Sequence, residues 1–206
     1  ELTDTVEETK KAQAILEDDR TLFAASKSNE IDLALLRELH LMTAKPFLYV
    51  FNSDESVLTD DAKKDELRQL VAPAECVFLD AQTETELLEL DEAEALELLE
   101  SVGQEEPGLA TLAKAGFATL GLQTYLTAGP KEARAWTIKQ GSAAPQAAGV
   151  IHTDFEKKFI KAEIVSFDDL DAAGSMAEAR NAGKVRQEGK EYIMQDGDVC
   201  DFKIGG

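Results

Sequence analysis

The chain has 206 residues, of which 44% are hydrophobic, and its formal net charge is −20. This length and composition are ordinary for a protein with one large domain or two small ones around a sizeable core. No apolar run approaches the roughly 20 residues that a membrane-spanning helix needs, and no signal-peptide pattern opens the chain. A membrane protein and a secreted protein are therefore not expected.

The negative charge is spread unevenly along the chain. Residues 1–121 hold 10 lysines and arginines against 28 acidic residues, whereas residues 122–206 hold 11 against 13. Because nucleic-acid binding depends largely on cations that neutralise phosphates, the first part should repel a phosphate backbone. Any RNA contact is expected in the nearly neutral C-terminal part, or with the help of a bound cation or a protein partner.

The two cysteines, Cys76 and Cys200, lie far apart in the sequence and have no metal-type spacing. We expect them to be buried, free thiols rather than a disulfide or a redox pair. This use of cysteine fits the reducing cytoplasm, which is the predicted location of the protein.

The first 41 residues are predicted to be mostly helical. Segment 1–19 is charged and favours helix, and its thin hydrophobic stripe indicates an exposed helix that a partner helix covers. The stripe consists of Leu2, Val6, Ile15 and Leu16. Residues 18–29 are polar and predicted to form turns, and Asn29 is predicted to cap a second helix. The apolar positions of that second helix are Ile31, Ala34, Leu35 and Leu39.

Residues 42–121 show an alternation of strands and helices. Pro46 precedes the apolar run FLYVF, which is typical of a buried parallel strand, and residues 76–79 form a second such run. Helices are predicted over 59–70 and 107–121, with two short acidic helices within 84–102. This order is typical of the last part of an α/β sheet with right-handed crossovers.

Residues 122–206 are predicted to form a small α+β unit of short strands and glycine-containing turns. LQTYLTA and EARAWTI are predicted strands joined across Gly129-Pro130, and FIKAEIV is a third. Asp196-Gly197 is a strong hairpin signal, and it predicts that YIM and VCDFKI pair. Helices are predicted around 147–157 and 175–182.

Three segments of this C-terminal part carry a family resemblance: TAGPKEARAWTI from Thr127, GSAAPQAAGVIHTDFEKKFIKAEIVSFDDL from Gly141, and GKVRQEGKEYIMQDGD ending at Asp198. They closely resemble the C-terminal TGS domain of the YchF-type Obg-like ATPases, which are P-loop proteins related to the TRAFAC GTPases. The likeness extends over nearly the whole chain. It implies the end of a helical, coiled-coil arm over 1–41, the C-terminal part of a nucleotide-binding domain over 42–121, and a ubiquitin-like β-grasp TGS domain over 122–206.

The resemblance also assigns a base-recognition loop. Asn52 and Glu55 follow the predicted strand and match the family's N-x-x-E motif, which replaces the N-K-x-D of guanine-specific relatives and goes with ATP in preference to GTP. The flanking T-A-K-P supports the match, and Ser53 lies within the motif. Ala81 falls in the loop that backs the base, although Asp80 stands where the family commonly has a serine. Without the resemblance, N-S-D-E would be an ordinary polar turn between a strand and a helix.

The phosphate side of such a site is absent from this sequence, which contains no G-x-x-x-x-G-K-[ST] pattern. Phosphoryl transfer needs the amides and lysine of that loop and a Mg²⁺ ion. The resemblance implies ATP and Mg²⁺ as cofactors of a full-length protein, whose N-terminal half is an expected partner. No catalytic residue is assigned, and this chain alone is predicted neither to hydrolyse ATP nor to bind it tightly.

The resemblance implies a ribosome or ribosomal RNA partner for the TGS domain. The candidate contacts are its basic residues Lys157, Lys158, Lys161, Arg180, Lys184, Arg186 and Lys190. Solvated loop cations are the alternative interpretation. Trp136 is predicted to pack, and His152 next to Asp154 to make a structural hydrogen bond. An autonomous TGS binding module, a nucleotide-gated switch in which ATP alters the TGS surface, and an acidic protein–protein adaptor without nucleotide remain as alternative functions.

Overall fold

The computed structural model describes residues 2–129 and 132–205, and its chain divides into two compact units, 1–120 and 121–206. The first unit begins with two α-helices, two short 3-10 helices and a strand. These elements are α1 (Leu2–Glu17), α2 (Leu22–Lys27), the 3-10 helices Leu33–Leu39 and Met42–Ala44, and β1 (Leu48–Asn52). The unit continues with α3 (Glu55–Leu58), α4 (Asp61–Val71), β2 (Glu75–Leu79), α5 (Ala81–Leu87), α6 (Glu92–Ser101) and α7 (Gly108–Thr119).

The helical start of the first unit has its own small core. Its buried residues are Ala12, Ile15, Leu22, Ala25, Ile31 and Leu36. The predicted turn over 18–29 is wrong, because α2 lies there, capped by Thr21, whose hydroxyl accepts the amide of Ala24 at 3.2 Å. Leu22 and Ala25 are fully buried. Two apolar residues one turn apart are enough when a neighbouring helix covers them.

The predicted helix after Asn29 also differs in the structure. Asn29 adopts a left-handed conformation with φ 57°. Asp32 is the cap instead, and its carboxylate accepts the amide of Ala34 at 2.9 Å. The element that follows is a 3-10 helix in which Leu36 is the buried residue. With one buried side chain, this segment has little packing to hold a longer α-helix.

β1 and β2 pair in parallel, as predicted, with Asn52 opposite Leu79 at their carboxyl ends. Val77 is buried, and Phe51 stacks on Phe78 with ring centroids 5.1 Å apart. The predicted burial of β1 is wrong for its middle residues, because Tyr49 and Val50 are 42% and 46% exposed. Within the described residues this sheet has two strands, so part of β1 remains uncovered.

The second unit contains β3 (Leu122–Ala128), β4 (Ala133–Lys139), α8 (Ala144–Ile151), α9 (Thr153–Lys158), β5 (Phe159–Ser166), α10 (Phe167–Ala173), α11 (Met176–Asn181), β6 (Arg186–Glu188) and β7 (Asp198–Ile204). Its five strands form one mixed sheet in the order β4-β3-β7-β5-β6. β3 and β7 are parallel, and the other neighbouring strands are antiparallel. The second unit is thus a mixed sheet with helices, whereas the sequence pattern predicts it more generally as a small α+β unit.

Helix α8 covers one face of this sheet through small residues. Ala144, Ala147 and Ala148 are fully buried in the main core, where the Tyr125 hydroxyl donates to the carbonyl of Ala147 at 2.9 Å. Small side chains let the helix backbone approach the sheet closely, and this leaves room for the aromatic residues of the strands. A second cluster around Val165 joins α10 and α11 to the opposite face.

Two predictions for the second unit need correction. The single helix over 147–157 is two helices that meet at His152, whose Nδ1 accepts the amide of Asp154 at 3.2 Å and caps α9. Asp196-Gly197 is not a hairpin turn. The Asp196 carboxylate accepts the amide of Thr124 at 2.7 Å, and the Gly197 amide donates to the Thr124 carbonyl at 2.8 Å. The turn is therefore attached to β3 and directs β7 alongside it in parallel.

The predicted pairing of LQTYLTA with EARAWTI is confirmed, because β3 and β4 are antiparallel over seven residue pairs. Of the predicted Gly129-Pro130 connection, Pro130 lies outside the described residues, while the Gly129 amide donates to the carbonyl of Glu132 at 2.9 Å. Cys200 is buried and Cys76 is partly buried, and both are free thiols, as predicted. Across the described ranges, no helix has the length and apolar character needed to cross a membrane.

Candidate functional site

The carboxyl ends of β1 and β2 form a connected loop pair. The amide of Ser53 donates to the carbonyl of Leu79 at 2.8 Å, which extends the pairing one residue beyond the strands. The side-chain Oδ1 of Asn52 accepts the amide of Ala81 at 3.0 Å. These two bonds bring three of the sequence-predicted residues, Asn52, Ser53 and Ala81, together at one edge of the sheet.

The bond to Ala81 fixes which side-chain atom of Asn52 faces away from the protein. Of the two polar atoms in the Asn52 side chain, only the amide oxygen can accept a hydrogen bond from a backbone N–H, so this oxygen points at Ala81. The Nδ2 group makes no hydrogen bond within residues 2–129 and 132–205, and the Asn52 side chain is exposed. Asn52 therefore presents a held NH₂ donor, with one oxygen lone pair still open, to whatever binds at this edge.

The two acidic residues of the N-S-D-E segment have different roles. Asp54 caps α3, because its carboxylate accepts the amide and the hydroxyl of Ser56 at 3.0 and 2.6 Å. The bond from the Ser56 hydroxyl holds the pKa of Asp54 below its ordinary value. Glu55 begins α3 and its side chain is exposed. The Asp54 carboxylate is thus engaged in capping α3, whereas the exposed Glu55 carboxylate is available to contact a ligand.

Asp80, the departure from the family pattern, also acts as a helix cap. Its carboxylate accepts the amide of Gln82 at 3.0 Å and the hydroxyl of Thr83 at 3.1 Å at the start of α5. The Asp80 side chain is therefore engaged by its own helix, while the backbone of Ala81 remains beside Asn52.

One carboxylate that supports this region was not identified from the sequence. Glu84 lies in the predicted acidic segment 84–102, and its carboxylate accepts the amides of Gly108 and Leu109 at 2.6 and 3.1 Å. It thus caps α7 from a distance, since Pro107 has no side chain able to do so. Pro107 at a helix start without a Ser, Thr, Asp or Asn cap was the available signal. Elsewhere in the described ranges, no three His, Cys, Asp or Glu residues are grouped as metal ligands.

The seven basic residues predicted to contact RNA fall into two groups. Four of them contact polar or acidic partners in the fold: Lys161 with Gln187, Arg180 with Glu163, Lys184 with Asp169 and Arg186 with Asp198. The bond from Lys184 holds the pKa of Asp169 below its ordinary value. By contrast, Lys157, Lys158 and Lys190 are exposed and have no ion pair in the part of the chain that the structure describes.

Arg186 belongs to a polar network that the sequence did not indicate. Asp198 is 2% exposed and accepts the Tyr192 hydroxyl and the Gln195 amide, each at 2.9 Å. Arg186 donates to the Tyr192 oxygen at 3.2 Å and lies 3.7 Å from Asp198. Burial and the bond to Asp198 raise the pKa of Tyr192 to about 12. The network holds segment 189–198 against the start of β7.

Trp136 packs as predicted. Its indole Nε1 donates to the Thr127 hydroxyl at 2.8 Å, and its ring lies parallel to that of Tyr125, with centroids 6.5 Å apart. The guanidinium of Arg134 lies over the indole at 4.0 Å from its centroid. These contacts occupy the ring within the fold, which explains why it does not stand free as a stacking platform.

Comparisons with known proteins agree with this architecture. The family model YchF-GTPase_C, described as a protein of unknown function (DUF933), matches residues 122–205. The solved structure of the Schizosaccharomyces pombe YchF GTPase resembles 94% of this chain with a TM-score of 0.67 and 33% identity, and the match covers 55% of that protein. The fold is thus a mixed α/β arrangement similar to that of a YchF GTPase.

Two curated relatives extend the match to the sequence. The ribosome-binding ATPase YchF of Bacillus subtilis is 48% identical over 175 residues, or 82% of this chain and 48% of that protein. The rat Obg-like ATPase 1 is 39% identical over 187 residues, or 85% of this chain and 46% of its own. The chain therefore belongs to the YchF family of Obg-like ATPases and corresponds to its C-terminal region. It spans about half the length of the curated relatives it matches.

Proposed function

We propose that this chain is the C-terminal region of a cytoplasmic, ribosome-associated ATPase and that it supplies the adenine-recognition loop and a ribosome-binding TGS domain. The observation that carries the proposal is the hydrogen bond from the Ala81 amide to Asn52, which orients the Asn52 NH₂ group at the carboxyl edge of parallel strands. Ligands of open α/β sheets bind at such an edge. The proposed parts are the arm over 1–41, the nucleotide-domain portion over 42–121 and the TGS domain over 122–206.

The open atoms of Asn52 match an adenine edge. Adenine presents the N7 acceptor and the N6 amino donor next to each other. The Nδ2 group of Asn52 is placed to donate to N7, and the second lone pair of its oxygen is open to the N6 amino group. Ser53 and Ala81 contribute the backbone that frames the base on either side of Asn52.

Glu55 accounts for the preference of ATP over GTP. In N-K-x-D loops the final carboxylate accepts hydrogens from N1 and N2 of guanine, and adenine has neither donor. A carboxylate held there against adenine would be desolvated and unpaired, at a cost of several kcal/mol. Glu55 is one methylene longer and exposed at the start of α3, so it is free to remain in solvent while adenine binds.

The residues present fit the base of ATP but not its phosphates or Mg²⁺. The printed sequence has no P-loop pattern, and no acidic or histidine cluster suited to a metal lies within the described residues. When bound, ATP and Mg²⁺ would supply the phosphoryl group and its charge neutralisation, with the rest of the protein around them. This chain holds and discriminates the base.

The second unit supports the assignment of a TGS domain. Its strand order, with β7 parallel to β3 between two antiparallel outer pairs and α8 on one face, is the arrangement expected of a ubiquitin-like β-grasp fold. The unpaired cations Lys157, Lys158 and Lys190 are the primary candidates for a ribosomal RNA contact. Lys184 and Arg186 are the secondary ones, because Asp169 and Asp198 already partly neutralise them.

The base-loop proposal is tested by NMR titration of this chain with ATP and GTP at millimolar concentrations. We expect ATP to shift the Ala81 backbone amide and the Asn52 side-chain NH₂ resonances, and GTP to shift them less. Asn52→Ala should abolish the ATP-dependent shift at Ala81, because the oriented NH₂ donor is lost. Neither protein should release phosphate from ATP.

Asn181→Ala is the matched control, since it removes an exposed asparagine from the end of α11. It should leave the ATP shifts intact. Equal shifts with GTP, or ATP shifts that survive Asn52→Ala, would contradict the assignment of the loop.

A further inference from the structure

An apolar groove lies beside the base loop in the first unit. It has a volume of about 450 Å³ and runs between the end of β2, helices α5 and α6, and the start of α7. Its apolar lining includes Leu79, Leu87, Leu88, Ala95, Pro107 and Leu109. Ala81, whose backbone is proposed to frame the base, also lines the groove, whereas Asn52, Ser53 and Glu55 do not. The groove therefore adjoins the base loop but does not include the Asn52 donor.

Two of the four leucines that line the groove are unusually exposed. Leu88 is 83% exposed and Leu109 is 65% exposed. Contiguous exposed apolar side chains of this kind mark sites where another molecule binds, because their burial is favourable and their exposure promotes aggregation. The groove is thus a surface that a partner would stabilise.

The groove is held open by specific contacts. The Glu84 carboxylate fixes the first two amides of α7, so Leu109 is presented at a defined place. Gly108 permits this close approach, since a Cβ there would lie 2.5 Å from the Leu79 Cβ. Helix α7 is therefore joined to α5 by hydrogen bonds and to the end of β2 by close packing. Such preformed grooves bind without a large ordering cost.

The charge around the groove selects its occupant. Between Arg68 and Lys114 the sequence contains twelve acidic residues and no lysine or arginine. A concentration of negative charge attracts positively charged ligands and repels negatively charged ones. This field disfavours RNA and anionic membranes, and a second copy of this chain, with its net charge of −20, is repelled as well.

We propose that this groove binds a cationic amphipathic helix of a protein partner, with leucine-like side chains in the groove and lysines or arginines facing the surrounding carboxylates. A helix that places apolar residues at three- and four-residue spacing fits an elongated apolar groove. The inference does not depend on the nucleotide or the ribosome. It assigns to the acidic first unit a protein-binding role of its own.

The test uses a fluorescein-labelled synthetic peptide of about 18 residues, long enough for about five helical turns, with leucines on one face and lysines on the other. Binding to the 206-residue chain is followed by fluorescence anisotropy. We expect saturable binding that weakens as salt rises from about 50 to about 500 mM. The double variant Leu88→Ser/Leu109→Ser should bind at least about tenfold more weakly.

The matched control is Leu70→Ser/Leu120→Ser, which removes two leucines of similar exposure, 77% and 64%, outside the groove. It should bind the peptide as the unaltered chain does. A second variant, Glu89→Lys/Glu92→Lys, should weaken binding and flatten its salt dependence without changing an apolar side chain. Circular dichroism checks that each variant is folded.

Three results would overturn the proposal. One is equal binding of a peptide with the same composition but a scrambled order, since charge alone would then account for it. Another is unchanged binding by Leu88→Ser/Leu109→Ser. The third is a dimer in analytical ultracentrifugation that this variant abolishes, because the occupant would then be a second copy of the chain.

Discussion

Replacing Gly108 with alanine is expected to destabilise the first unit by about 1–3 kcal/mol, the range typical of overpacked sites. The new Cβ would lie 2.5 Å from the Leu79 Cβ and 2.9 Å from the Glu84 Oε1. The first clash involves an atom fixed to the backbone of β2, so it cannot be relieved by rotating a side chain. The second displaces the carboxylate that caps α7, which adds unsatisfied amides to the steric cost.

Gly116→Ala is the control in the same helix. Apart from the neighbouring backbone of its own helix, no heavy atom lies within 4 Å of a Cβ placed there, so the alanine meets open space. Because alanine is the better helix former, this variant should gain about 0.5–1 kcal/mol. Hydrogen exchange of the α7 amides measures the destabilisation by Gly108→Ala and the stabilisation by Gly116→Ala, both within the first unit. Equal protection in Gly108→Ala and the unaltered chain would contradict the close packing of α7 on β2.

Replacing Asp198 with alanine is expected to destabilise the second unit by about 2–4 kcal/mol. The substitution removes the acceptor for the Tyr192 hydroxyl and the Gln195 amide, and it leaves Glu188, at 3.9 Å, as the carboxylate neighbour of Arg186. Asp198 is 2% exposed, so water does not readily replace it. The chain's one tryptophan, Trp136, lies in this unit, and its fluorescence in urea reports the loss.

Asp201→Ala is the matched control on the same strand. Asp201 pairs with Lys203 on an exposed surface, with side chains 52% and 42% accessible, and such pairs contribute about 0–1 kcal/mol. It should therefore unfold at nearly the urea concentration of the unaltered chain. The importance of the Asp198 network would be refuted if the two alanine variants lost the same small amount of stability.

The elements predicted well are those whose patterns are local. Strands β3, β4 and β5 alternate or run apolar between clear turns, and β1 and β2 are short apolar runs, so their existence follows from neighbouring residues. The elements predicted wrongly depend on contacts with residues far away in the sequence. Helix α2 exists because α1 covers Leu22 and Ala25, and the turn at Gly197 is decided by Thr124, which is more than 70 positions away.

The candidate site divides in the same way. The family resemblance singled out Asn52, Glu55 and Ala81, because the spacing of N-S-D-E after a strand is by itself also that of an ordinary polar turn. The bond that makes Asn52 a directed donor joins residues 29 positions apart, and the Glu84 cap of α7 spans 24. Such contacts arise from tertiary packing, and no pattern within one segment encodes them. The division of the basic residues into paired and unpaired ones has the same origin.

The central proposal is that this region binds ribosomes through exposed cations of the second unit. Its most direct test is co-sedimentation of the chain with purified ribosomes at low and high salt, with and without nuclease. We expect salt-sensitive pelleting that is lost after nuclease treatment and in Lys157→Glu/Lys158→Glu/Lys190→Glu, since cation contacts with phosphates supply such binding. The control Lys10→Glu/Lys45→Glu/Lys63→Glu, with the same change of charge in the first unit, should still pellet. Absence of pelleting at low salt, or equal loss in both variants, would contradict the claim.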